Sequence, residues 1–123
     1  MIDHITLHTK DITKTKALYT AALKPLGYVL SYEQQFDGVD VIGFGYDVKI
    51  DIWFTTDRPI NTGAHLAFKA NSHEVVDACY AAAIRAGAKD NGAPGIRSEY
   101  HDQYYAAYFL DVDGNNIEVV FGN

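Results

Sequence analysis

Hydrophobic and polar residues alternate at the start of the chain. Over residues 2–9, Ile-Asp-His-Ile-Thr-Leu-His-Thr, Ile5 and Leu7 fall on one side of a strand, and Ile2, His4, Thr6 and His8 on the other. The period then changes. Leu18, Ala22, Leu23 and Leu26 recur at helical spacing over residues 12–26, and Gly27 supplies a stop. Strand-like runs follow at 28–36, 39–46 and 48–55, with Asp37-Gly38 marking a hairpin between the first two. Turn formers fill residues 56–63. The pattern then restarts. Residues 64–70 read as a strand, and Asn71 is the expected N-cap, with Glu74 at capping-box spacing. A helix runs to about Ala86 and ends at Gly87. Residues 88–103 read as a loop, and two strands, 104–110 and 116–121, flank an Asp-Val-Asp-Gly-Asn turn.

The two halves look like copies. A shift of 61 carries His4 onto His65, Ala17 onto Ala78, Tyr19 onto Tyr80, and Ala21 and Ala22 onto Ala82 and Ala83. A shift of 67 lays Ile-Asp-Ile-Trp-Phe (50–54) on Ile-Glu-Val-Val-Phe (117–121), so Asp51 falls on Glu118. The larger offset implies about six extra residues in the second half, and the loop at 88–103 is the natural place for them. The reading is an α+β chain of two tandem βαβββ modules, 1–57 and 62–123, within one domain.

Each module then contributes a histidine from its first strand and a carboxylate from its last. Strict alternation puts Ile50 and Ile52 on the apolar, helix-facing side and Asp51 on the other. By the same rule His4, Asp51, His65 and Glu118 share the inner face of a curved sheet. A buried carboxylate needs a cation or donors. Two imidazoles and two carboxylates satisfy one another best around a divalent metal.

Composition narrows the partners. The net charge is −6 and no basic cluster exists, which argues against a nucleic-acid binder. A single cysteine, Cys79, forbids an intrachain disulfide and suits a reducing compartment. Cys79 sits among alanines on the second helix and reads as a small buried hydrophobe. No apolar run approaches a membrane span, and the amino terminus has no apolar signal region. The expectation is a cytoplasmic protein with a small-molecule ligand and no membrane partner.

Two stretches resemble a known family. They are IDHITLHTKDITKTKALY at the start and YYAAYFLDVDGNNIEVV near the end. The second is similar to the ending F-x-D-P-D-G-x-x-I-E of the vicinal oxygen chelate superfamily (glyoxalase, bleomycin resistance protein, extradiol dioxygenase), with Val112 where proline is usual. The resemblance implies a mixed-sheet cup around one divalent ion (Zn, Ni, Mn, Co or Fe(II)), held by His4, Asp51, His65 and Glu118. It also implies a glyoxalase-type lyase or isomerase. Such an enzyme would act on a small oxygen-chelating substrate through a metal-stabilised enediolate, with Glu118 or Asp51 as catalytic base. A dioxygenase or thiol transferase on the same fold, and a metal-free drug-binding protein, stay open. So does whether Asp51, one methylene shorter than the usual glutamate, ligates directly. A homodimer is expected from the resemblance, with the modules pairing within one chain or across two.

Substrate contacts are expected from Trp53, which shares the inner parity, and from Arg97, His101, Tyr104 and Tyr105 in or beside the 88–103 loop. Alternation sends one of Tyr104 and Tyr105 inward and the other away, without saying which.

Overall fold

Asp11 starts the first helix. Its side chain accepts a hydrogen bond from the Lys14 N–H at 3.0 Å, the ordinary N-cap geometry. The helix, α1 (Ile12–Leu23), buries Leu18, Tyr19, Ala22 and Leu23. Each large apolar side chain buried this way contributes about 1.5–3 kcal/mol relative to exposure. A short 3-10 turn ends at Gly27, whose φ of 92° suits a residue without Cβ. The computed structural model describes residues 1–60 and 63–123. The expected break at 56–63 therefore lies partly outside the described residues.

Around α1 stand β1 (Ile5–His8), β2 (Val29–Phe36), β3 (Val39–Tyr46) and β4 (Lys49–Thr55). The second half repeats the order with β5 (His65–Lys69), α2 (His73–Arg85), β6 (Lys89–Ile96), β7 (Tyr105–Leu110) and β8 (Asn116–Phe121). The sheet orders are β1-β4-β3-β2 and β5-β8-β7-β6. The first and last strands of each module pair in parallel, and the other neighbours are antiparallel. The chain is thus an α+β fold of two tandem βαβββ modules. One apolar cluster joins them. Leu18, Phe44, Ile52 and Phe54 of the first module and Val76, Phe109, Ile117 and Val119 of the second belong to it. The helices pack on each other in a single layer, so the helix-free faces of both sheets look the other way.

Three local expectations are corrected. The loop read over 88–103 contains a strand, β6 (Lys89–Ile96). It lies at the outer edge of its sheet, where Pro94 and two glycines are tolerated because one side of the ladder needs no partner. The N-cap of α2 is Ser72, not Asn71; its hydroxyl accepts from the Val75 N–H at 3.2 Å.

The third correction concerns β4. Phe44 pairs with Ile52 and Gly45 with Ile50, which leaves Asp51 unpaired in a β-bulge. The bulge breaks the alternation. A Cβ placed on Gly43 would lie 2.8 Å from Ile50 Cγ2 and 2.9 Å from Trp53 Cε3, so Ile50 and Trp53 share a face. Ile52 is buried in the core between them. Asp51 turns to the side of Ile52 and accepts a 3.1 Å hydrogen bond from the Tyr28 hydroxyl.

Candidate functional site

The bulge also resets the correspondence between modules. Ile5 pairs with Ile52 in the first module, and Leu66 pairs with Ile117 in the second. His4 precedes Ile5 as His65 precedes Leu66, so Ile52 is the counterpart of Ile117. The true offset on the last strand is 65, and it carries Trp53, not Asp51, onto Glu118. The antiparallel ladders agree: Trp53 lies opposite Gly43, and Glu118 opposite Tyr108. One strand further out, Tyr32 lies opposite Gly43, and Gly92 opposite Tyr108. Across equivalent strands the first module therefore shows Tyr32, Gly43, Trp53, and the second shows Gly92, Tyr108, Glu118.

Glu118 is the centre of the second half-site. It is 3% exposed, so its charge needs donors. Oε1 accepts from the Tyr104 hydroxyl at 2.5 Å and the Tyr108 hydroxyl at 3.2 Å. Oε2 lies 3.1 Å from Nε2 of His65. The other imidazole nitrogen, Nδ1, is 3.0 Å from the carbonyl oxygen of Asn116. A carbonyl can only accept, so Nδ1 carries a proton. In the neutral ring Nε2 then points a lone pair at a carboxylate oxygen. That contact is favourable only with a cation between the two atoms, either a proton or a metal ion. The same arrangement fixes a metal-ligating histidine from behind.

Burial and the negative charge of Glu118 push the Tyr108 hydroxyl up to about 12. Burial and the bond to Glu118 raise Tyr104 as well. Both phenols therefore remain donors at neutral pH. Tyr104 is the inward member of its pair. Tyr105 turns to the helix layer, where its hydroxyl meets Asp77 at 2.6 Å and its ring stacks 3.9 Å from His73. Tyr108 escaped the sequence reading, although the parity of residues 104, 106 and 108 signals it.

The rim is built by the segment between β6 and β7. The Arg97 guanidinium sits 5.2 Å over the Tyr108 ring and donates to the Ala93 carbonyl at 2.7 Å. With Tyr100, Tyr108 and Asn116 it borders a cavity of about 260 Å³. His101 packs edge-on against Tyr104, with centroids 5.5 Å apart, and accepts from the Gln103 N–H. Gly122 anchors this segment. Its φ is 90°, and a Cβ there would fall 2.1 Å from the Gln103 carbonyl oxygen.

The Asp-Val-Asp-Gly-Asn turn delivers β8. Asp111 Oδ1 accepts from the N–H groups of Asp113 and Asn115, both at 2.9 Å. Its Oδ2 takes the Tyr19 hydroxyl at 2.5 Å. The turn ahead of Glu118 is thus tied to α1 of the other module.

The first half-site is different. His4 is exposed and bonded to Asp3 at 2.7 Å. Trp53 packs edge-on against Tyr32, centroids 5.2 Å apart. Asp51 is absent from this face. It borders a separate cavity of about 330 Å³ with Pro25, Leu26, Tyr28 and Val75, and its Oδ1 is buried without a partner. Among the described residues no three His, Cys, Asp or Glu side chains stand together as a metal-binding group. The expected meeting of His4, Asp51, His65 and Glu118 does not occur within one chain. His65 and Glu118 do fit a divalent ion as a pair of adjacent N and O donors with a fixed outer partner. The thiol of Cys79, buried on α2, is pushed up to about 12 by its apolar surroundings, as suits a packing role. No helix among the described residues is long and apolar enough to cross a membrane.

The chain belongs to the Glyoxalase/Bleomycin resistance protein/Dioxygenase superfamily, whose family model matches residues 1–119. Among solved structures it is similar to a glyoxalase/bleomycin resistance protein from Albidiferax ferrireducens T118. The two are 27% identical with a TM-score of 0.78, over 100% of this chain and 99% of that one. It also shares the fold of glyoxalase I from Zea mays, at 18% identity and TM-score 0.75, over 97% of this chain and 43% of that one. The fosfomycin resistance protein FosX from Listeria monocytogenes shares it too, at 21% identity and TM-score 0.71, over 100% of this chain and 93% of that one. A comparison with curated proteins finds no match.

Proposed function

We propose that this chain is a metal-dependent enzyme acting on a small oxygen-bearing substrate, with each active site assembled from two copies of the chain. The observation that supports it most is the 3.1 Å approach of His65 Nε2 to Glu118 Oε2 with Nδ1 already engaged by Asn116. In this reading His65 and Glu118 of one copy and His4 of a second hold a divalent ion. The ion supplies Lewis-acid polarisation of a substrate oxygen when bound.

The two-copy arrangement follows from where the half-sites lie. The face carrying His65 and Glu118 and the face carrying His4 and Trp53 both lie opposite the shared helix layer, and among the described residues neither gathers three metal-ligating side chains. Two copies about a two-fold axis give two complete sites by symmetry. Two histidines and one carboxylate leave open positions for substrate oxygens. Tyr104 and Tyr108 clamp Oε1 of Glu118 and so present Oε2 to the site. Arg97, 5.2 Å from the Tyr108 ring, supplies positive charge at the rim for an anionic substrate group.

A second reading, a metal-free binding protein, has one observation behind it. Glu118 already has three hydrogen-bonding neighbours in the chain, so protonated His65 satisfies the site without a metal. Metal analysis separates the two. Protein incubated with Zn, Ni, Mn or Fe(II) and then desalted should retain about one ion per chain if the enzyme reading holds. Retention of none under every condition sinks it and leaves the binder. A screen of hydroxy acids, hemithioacetals and catechols on the loaded protein then follows.

A further inference from the structure

The seam between the modules holds a charged cavity that shares no lining residue with the His65 and Glu118 site. Tyr28, Tyr46 and Asp51 border it from the first module, and Lys69, Asn71 and Val75 from the second. Its volume of about 330 Å³ is enough for a small ligand. Asp51 is short of partners there. The bulge turns its carboxylate to the seam, Oδ2 takes the Tyr28 hydroxyl at 3.1 Å, and Oδ1 is buried with no donor. An ionised carboxylate accepts at about four positions, so most of its capacity is unused. The last torsion of an aspartate is soft, and either oxygen can turn toward the opening. Lys69, at the end of β5, joins no ion pair among the described residues. A neighbouring cavity of about 270 Å³ shares Asp51 and Lys69, but the charges it adds, Lys49 and Asp3, already pair at 3.3 Å. The seam therefore offers one carboxylate and one ammonium that do not meet each other. The remaining wall is apolar. Leu26 and Val75 line it beside the rings of Tyr28 and Tyr46, whose centroids are 6.0 Å apart. Aromatic rings also attract an ammonium group.

We propose that this cavity is a second binding site, for a small α-amino acid with an aliphatic side chain. The ligand's ammonium group pairs with Asp51 beside the two tyrosine rings. Its carboxylate pairs with Lys69 and the Asn71 amide, and its side chain lies against Leu26 and Val75. Each end of a zwitterion then meets the charge the cavity leaves unmatched, which neither a simple amine nor a simple acid does. The ligand touches both modules, so its binding stabilises the folded chain. None of this requires a metal ion or a second copy.

The test titrates L-valine and L-leucine by calorimetry into protein freed of metal with a chelator. At least one should bind saturably and raise Tm. Two analogues of leucine each lack one charge: isoamylamine has no carboxylate, and N-acetyl-L-leucine has no ammonium. Each should bind at least about tenfold more weakly than leucine. Asp51→Asn and Lys69→Gln should weaken amino-acid binding by a similar factor. Lys69 is exposed, so Lys69→Gln keeps the test sound if Asp51→Asn folds poorly. His65→Ala should bind the amino acid as native protein does. The proposal is overturned if neither amino acid binds up to about 10 mM, or if an analogue lacking one charge binds as well as leucine. Undiminished binding in Lys69→Gln also overturns it. Loss of binding in His65→Ala would put the ligand at the other site and overturn it too, whereas none of these results bears on whether His65 and Glu118 hold a metal.

Discussion

Nε2 of His65 and Oε2 of Glu118 face each other at 3.1 Å, and each side chain is held from behind, the histidine by the Asn116 carbonyl and the carboxylate by two phenols. A pair so fixed is prepared for a cation. His65→Ala and Glu118→Gln should each weaken Zn binding by more than the roughly 10–100-fold that loss of an outer partner causes. Competition with a chromogenic chelator measures it. Near-native affinity in either variant contradicts the assignment.

The phenols should matter in proportion to what they hold. Tyr104→Phe and Tyr108→Phe each remove a donor from a buried carboxylate, so each should lower stability by about 1–3 kcal/mol in urea unfolding. Each should also weaken Zn binding, within about 10–100-fold. Tyr105→Phe, whose hydroxyl bonds Asp77 on α2, should leave Zn binding unchanged.

Asp51 belongs to stability. Tyr28 is its one hydrogen-bond donor among the described residues, and Oδ1 has none. Tyr28→Phe should cost about 1–3 kcal/mol, whereas Asp51→Asn, which removes the charge, should be milder. Burial, then the Asp51 charge, lifts the Tyr28 hydroxyl from 10.0 to about 12. A raised acid stabilises the fold fully below its unfolded value and loses that share as pH climbs through the folded value. Native stability should therefore fall between pH 10 and about 12, and the fall should be shallower in Tyr28→Phe. Chemical unfolding across that window checks both. An equal slope in the variant contradicts the linkage.

Tyr19 couples the modules through the turn before Glu118. Tyr19→Phe leaves Asp111 Oδ2, in a residue 7% exposed, with the Asn115 side-chain amide alone. A loss of about 1–3 kcal/mol is expected. Hydrogen exchange at Asp113 and Asn115 should rise, because both N–H groups depend on Asp111 Oδ1. Unchanged protection there would separate Tyr19 from the turn.

How much of this could be read from the sequence depends on which signals survive folding. The duplication is visible because helix faces and first strands keep one offset: Tyr19 and Tyr80, Ala22 and Ala83, His4 and His65. The core face is visible because Ile5, Leu7, Leu66 and Phe68 alternate cleanly. β6 is hidden because an edge strand with Pro94 and Gly95 looks like a loop. The bulge at Asp51 is hidden for a subtler reason. Ile-Asp-Ile and Ile-Glu-Val match so well chemically that the alignment follows the likeness and misses a two-residue slip. Only the ladder, with Ile52 beside Ile5 and Gly45 opposite Ile50, shows that Trp53 stands for Glu118. The partners of Glu118 are half-legible: Tyr104 was within reach of alternation, and Tyr108 follows from the same parity.

The central claim is that His4 of one copy completes the site of another, and mixing two variants tests it directly. His4→Ala keeps His65 and Glu118; Glu118→Gln keeps His4. Each alone should retain little Zn after desalting. Unfolded together, refolded as a statistical mixture and reloaded, they should recover roughly a quarter of the native Zn per chain, because about half the dimers are mixed and each mixed dimer has one intact site. No recovery on mixing, or full Zn in His4→Ala alone, would contradict the shared site.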